Sequence, residues 1–145
     1  MTFEDLPDDW PSRPLGEPGF TADLLDLCVT HGDRLQGGLS VLICRRDATL
    51  AQPVFVGEIP DEDELPQTVE RLVELTQEMP DVGGVVLGFV RPWGSVTDRD
   101  RALHQHAIEV CGRAGVRLLG TFVVTTAGIA HLPVEAGVVE RHGAA

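Results

Sequence analysis

At 145 residues and 43 % hydrophobic content, the chain has the size of one domain and enough apolar material for one core, which excludes a disordered polymer. The net charge is −12 and all eleven basic residues are Arg. Direct nucleic-acid binding and attachment to anionic lipid are therefore not expected, because an acidic surface repels phosphate. No apolar run reaches the ~18–20 residues of a membrane span, and residues 1–6 lack a basic stretch followed by an apolar one, so a cytoplasmic protein is expected.

Residues 1–19 hold Pro7, Pro11, Pro14 and Pro18 among acids and glycines, a composition that predicts an extended N-terminal arm without regular structure. Trp10 is a large anchor within it, and the arm either drapes over its own domain or reaches a second subunit. Thr21 can cap a helix whose apolar stripe is Leu24, Leu25, Cys28 and Val29, with Gly32 at its end. Gly37 and Gly38 lead into a β-rich run at 39–44. A polar turn at 45–49 and a second run at 50–56 complete a hairpin, in which Pro53 marks an edge or a bulge.

The acids from Glu58 to Glu64 precede a helical stripe at Leu65, Val69, Leu72, Val73, Thr76 and Met79; capping and the helix dipole account for negative charge there. Residues 82–90 are almost continuously apolar and read as a strand buried on both faces. After a loop at 91–96, Thr97 starts a helix with Leu103, Ala107, Val110 and Ala114 on one face and Gly112 and Gly115 at its end. A long strand at 116–125, a turn at Ala127 and Gly128, and a last strand at 129–134 complete the order. Residues 135–145 read as a flexible C-terminal tail, which leaves 20–134 as the folded domain. The alternation of helices and strands predicts an α/β fold, a single domain with a central mixed β-sheet and flanking helices.

In such folds ligands sit where a buried strand ends and a helix begins. Here that junction is residues 87–100, Leu-Gly-Phe-Val-Arg-Pro-Trp-Gly-Ser-Val-Thr-Asp-Arg-Asp. This segment, together with the helix and strand after it, is similar to the RadC-like branch of the JAMM (MPN, JAB) domain family. Active members of that family carry a strand ending in His-Asn-His-Pro-Ser-Gly, then Ser-x-x-Asp at a helix start, then a strand with Leu-Leu-Asp-His. Pro92 and Gly94 match the loop, residues 97–100 resemble Ser-x-x-Asp, residues 114–124 resemble the later strand, and residues 54–57 resemble the Phe-x-Gly that closes the family's hairpin. The resemblance spans about residues 36–130 and implies a JAMM/MPN-like fold.

It also implies where a metal would be held, and the departures fall there. The family binds zinc through two His and one Asp, with a Glu on an earlier strand as general base; catalytic zinc needs three protein ligands and an open position. Phe89 and Arg91 stand at the two His positions, Asp100 alone matches a ligand, and Gly37, Gly38 and Leu39 occupy the stretch where the Glu is sought. The loop is also shorter than the family pattern. No zinc and no other cofactor is expected.

The remaining residues add no constellation. His104 and His106, two apart on a helix, project to nearly opposite sides, whereas His104 lies one turn after Asp100 and can share its face. His31, His131 and His142 are isolated. Asp98 and Asp100 form a DxD, but Thr97 with Asp100 reads as a capping box. Cys28, Cys44 and Cys111 are odd in number, widely spaced and set in apolar stretches, which predicts buried reduced thiols. GxSxG, phosphate-loop and dinucleotide fingerprints are absent from the sequence.

The leading expectation is a non-catalytic JAMM/RadC-like domain that binds or scaffolds a protein partner or a second copy of itself as a homodimer. Its cleft or interface would be formed by Phe89, Arg91, Trp93, Thr97, Asp100 and His104. Arg91 and Trp93 on a rigid loop are residue types that interfaces favour. Two arrangements stay open: Trp93 exposed at an interface, or Trp93 plugging the vacated pocket while Arg91 pairs with Asp100. The alternative function is a metal-independent small-ligand binder or enzyme, with Arg91 as anion anchor and Asp100 or His104 as acid or base.

Overall fold

A computed structural model describes residue 6 and residues 8–59 and 62–132. The order is α1 (Pro18–Cys28), α2 (His31–Gln36), β1 (Gly38–Arg45), β2 (Leu50–Gly57), α3 (Leu65–Gln77), β3 (Val82–Val90), α4 (Asp98–Ala114), β4 (Arg117–Thr125) and β5 (Gly128–Leu132). The strands form a single mixed sheet in the order β2-β1-β3-β4-β5. Only β3 and β4 run parallel, joined through α4; the other neighbours are antiparallel. The chain is thus one α/β domain with a five-stranded mixed sheet and flanking helices.

Period-two alternation along the central strands divides their side chains between two cores. Val41, Val85, Leu87, Phe89 and Val123 face α3 and α4, where Val69, Val73, Leu103, Ala107 and Val110 meet them. Leu42, Cys44, Val86, Phe122 and Val124 point the other way, toward Leu24 and Leu25 of α1 and toward Leu6 and Leu15. Pro53 lies on β2, an edge strand, where a missing N–H costs no ladder bond on the open side.

Four sequence expectations need correction. The arm assigned to 1–19 was expected to lack regular structure but contains a 3-10 turn at Trp10–Ser12 and the first residues of α1. Of the two placements left open for it, its described part takes the one on its own domain, with Leu6 and Leu15 buried and the Leu15 N–H donating to Ala48 O at 2.9 Å. Helix α1 starts at Pro18 rather than after Thr21, because the Glu17 carboxylate accepts from the Gly19 and Phe20 N–H groups, and Pro at a first helical position needs no donor partner. The helix also ends at Cys28, well before Gly32, and α2 forms as a separate turn-and-a-half with a Thr30–Asp33 capping box. Finally, Glu64 at the start of α3 makes no side-chain cap bond; residues 62–64 form a 3-10 turn, and Asp63 pairs with Arg99 instead. The end of the expected last strand at 133–134 and the expected tail at 135–145 lie outside the described residues.

Arg34 of α2 is the polar hub of this end of the molecule. It is 8 % exposed; its Nη1 donates to Thr125 O at 3.1 Å, and its Nη2 donates to Asp26 Oδ1 at 2.7 Å and to the Asp26 and Val29 carbonyls at 3.1 Å. One guanidinium thereby ties the carboxyl ends of α1 and β4 to α2, which leads straight into Gly37 and Gly38. Burial pushes the Asp26 carboxyl up, but the hydrogen bond and charge of Arg34 hold it below the ordinary 3.8. Among the described residues, no helix is long and apolar enough to cross a membrane.

Candidate functional site

The carboxyl end of β3 runs into a loop, residues 91–97, before α4 begins. Thr97 caps α4: its Oγ1 accepts from the Asp100 N–H at 3.2 Å, and its own N–H donates to Asp100 Oδ2 at 2.8 Å. Side chains alternate along β3, so Arg91 leaves the strand on the same side as Phe89 and points toward α4. It meets Asp100 in a bidentate pair, Nη1 to Oδ1 and Nη2 to Oδ2, each 2.7 Å. Nη2 also donates to Ser95 O at 2.7 Å, across the loop.

Asp100 is 4 % exposed. Burial pushes its carboxyl up, yet hydrogen bonds from Arg91 and Thr97, with the charge of Arg91, outweigh that and hold it below the ordinary 3.8. The group is an anchored carboxylate at neutral pH, already accepting three hydrogen bonds from Arg91 and Thr97. A carboxylate so occupied has little capacity left to take a proton from a substrate.

Beside this pair lies a cleft of about 430 Å³. Phe89 and Leu103 form its base, Ile59, Leu65 and Pro66 one wall, and Gly37 and Gly38 close it at the start of β1. Gly38 pairs with Val90, and a Cβ there would lie 2.2 Å from Val56 O. With φ at +153°, that position admits no other residue without rearrangement. Among the described residues that line the cleft, each of the two arginines has a carboxylate beside it. Arg91 meets Asp100 and Arg99 meets Asp63 at 2.9 Å, whereas His106 Nε2 lies 3.0 Å from Glu70 Oε2 but, buried as it is, makes no hydrogen bond.

Of the six residues expected at the site, Phe89, Arg91 and Asp100 line the cleft, and Thr97 supports it as the α4 cap. His104 is buried in the α4 face, one turn beyond Asp100. Trp93 is 74 % exposed and so does not fill the pocket, whereas the Arg91–Asp100 pair does form. The partners Asp63 and Arg99, 36 residues apart, and Glu70 and His106, also 36 apart, were not expected. The only signal for them was opposite charge on segments that turn out to be neighbours, the turn before α3 and α3 itself against α4. His131 stands on β5 with its ring 4.9 Å from that of Phe122.

The loop is pinned at its amino end. Arg91 N donates to Val124 O at 3.0 Å, and Pro92 O accepts from Thr126 N at 3.0 Å and Thr126 Oγ1 at 2.7 Å. Trp93 therefore projects from a fixed backbone. Among the described residues, no group of three or more His, Cys, Asp and Glu side chains gathers where a metal ion could be held. No protein-family model, curated protein or solved structure matches the chain.

Proposed function

We propose that this chain is a degenerate JAMM-like domain, without the family's metal centre, that serves as a protein-binding or scaffolding module through the junction of β3 and α4. The carrying observation is the Arg91–Asp100 pair. The resemblance puts Arg91 and Phe89 in the places of two histidine ligands and Asp100 in that of the third. A guanidinium now neutralises the one retained ligand, and a fixed cation in contact with a carboxylate opposes a divalent ion at the same point. Gly38 supports the same reading, since its cramped backbone leaves no room for a base in the stretch where the family's Glu would stand. A binding role rests on Trp93, an exposed aromatic on a pinned loop beside an apolar cleft, as hot spots of interfaces are built.

The test is metal content. Protein purified without chelator, then incubated with zinc and desalted, is expected to retain far less than one equivalent by mass spectrometry of the metal. A stoichiometric equivalent that disappears in Asp100→Ala would sink this reading. The cleft volume, which lies within the range of small-molecule sites, favours a second reading as a small-ligand binder. Native mass spectrometry that finds an organic molecule carried through purification would favour that reading over the first.

A further inference from the structure

We infer that the occupant of the cleft is Trp93 of a second copy of this chain, exchanged reciprocally across a two-fold axis; this rests on the binding-module reading and names its partner. The chemistry of the cleft points to an uncharged, flat, apolar group. Its base and wall are Phe89, Leu103, Ile59, Leu65 and Pro66, and among the described residues each of its two arginines is already matched by a carboxylate. An ionic ligand would have to displace one of those pairs, whereas an indole displaces none. At the mouth, the exposed Arg99 offers a guanidinium to an aromatic face, and the Asp63 carboxylate is an acceptor for the indole N–H.

The donor is equally specific. Trp93 is the most exposed of the large apolar side chains among the described residues, at 74 %, against 54 % for Leu35 and 55 % for Leu75. It cannot reach its own cleft by a loop movement without giving up the bonds that hold Arg91, Pro92 and Ser95. Pro92 lines the cleft and Trp93 is the next residue, so donor and acceptor share a margin. A two-fold axis close to Pro92 carries each indole onto the other copy's cleft, which is the self-complementary arrangement an isologous dimer requires.

The size of the contact sets its strength. Two indoles, each burying roughly 150–250 Å² against a similar area of cleft wall, remove about 600–1,000 Å² in total. That is below the ~1,200 Å² of a standard interface, so the dimer exchanges rapidly and forms only at high concentration. Each copy carries a net charge of −12, so repulsion between copies opposes it and salt relieves the repulsion.

The experiment is sedimentation velocity of the full chain from about 1 µM to about 1 mM, the span over which a weak complex goes from dissociated to formed. Trp93 emission in a Trp10→Phe background is tracked over the same range. The expected result is a monomer at the low end, a dimer at the high end, and an emission maximum that moves to the blue in step with it. The dimer tightens several-fold between about 0.05 and 0.5 M salt, as screening shortens the reach of like charges. Trp93→Ala removes the donor, and Ala102→Arg, at an exposed lining position of α4, blocks the acceptor. Each should leave a monomer throughout with an unchanged circular dichroism spectrum. A monomer at every concentration, a dimer unmoved by both variants, or blue emission that ignores concentration each overturns the exchange. The first of these in a protein that still holds no zinc overturns the exchange alone, whereas a retained zinc equivalent overturns the binding-module reading beneath it.

Discussion

Replacing Arg91 with Ala isolates what the guanidinium does for Asp100. The substitution removes two charge-assisted bonds of 2.7 Å and the bond to Ser95 O, and leaves a 4 % exposed carboxylate with only the Thr97 N–H. Removing one partner of a buried ion pair costs about 3–5 kcal/mol. Here the Arg91 side chain is 22 % exposed and Asp100 keeps its cap bond, so about 2–3 kcal/mol is expected, a fall in Tm of roughly 5–10 °C. The pH dependence gives the sharper check. In the intact protein the Asp100 carboxyl is held below its ordinary 3.8. Its contribution is therefore present above the unfolded-state pKa and lost as pH falls through the folded one. Without Arg91, burial becomes the dominant influence and moves the carboxyl upward, so the carboxylate destabilises at neutral pH and protonation relieves it as the solution is acidified. Urea denaturation at pH 7.5 and pH 4 should show the gap between wild type and Arg91→Ala narrowing toward the lower pH. A gap equal at both pH values would refute the reasoning, because it would mean that Asp100 does not feel the loss of its partner.

Arg34→Ala is expected to cost about 3–5 kcal/mol by urea midpoint, since it strands a partly buried Asp26 carboxylate and three backbone carbonyls. Arg34→Lys should recover less than half of that, because one ammonium cannot span the fork; full recovery would contradict the hub. Gly38→Ala should lower stability by more than about 3 kcal/mol, through the contact with Val56 O and the positive φ, and a neutral result would show that β1 can shift there. Burial pushes the Cys44 thiol up to about 12 and Cys111 to about 11, while the half-buried Cys28 is raised as well. A disulfide reagent at pH 8 should therefore label at most Cys28 in the folded protein and all three thiols after denaturation; rapid labelling of all three in the native state would contradict that burial.

The features legible in the sequence are those whose cause is local. Alternation and continuous apolarity placed β1 to β4, Pro53 marked the edge strand, and Thr97 with Asp100 marked the start of α4 because a capping box is written in four consecutive residues. Helix α2 escaped because His31–Gln36 has no apolar stripe to carry a period; it exists as a capped turn held by Arg34. The reach of Arg34 to Thr125, 91 residues away, has no one-dimensional trace. The approaches beside the cleft are equally silent, since Asp63 meets Arg99 and Glu70 lies near His106 only because α3 and α4 pack together.

The same contrast bears on the cleft itself. Its base, Phe89 and Leu103, could be read as core from spacing, and Arg91 and Asp100 as a pair from charge, yet neither observation implies an opening. At the mouth, Asp63, just before α3, pairs with Arg99 in the first turn of α4, while Val69, Val73, Ala107 and Val110 pack in the core further along the two helices. An exposed pair of this kind contributes little to stability; what it does here is neutralise two charges beside apolar lining residues. In a chain of net charge −12, pairing of the described charges at the cleft lowers the repulsion that a second acidic copy would meet in the proposed dimer. In that dimer the Arg99–Asp63 pair, although it is exposed and weak, would belong to the contact surface together with Trp93.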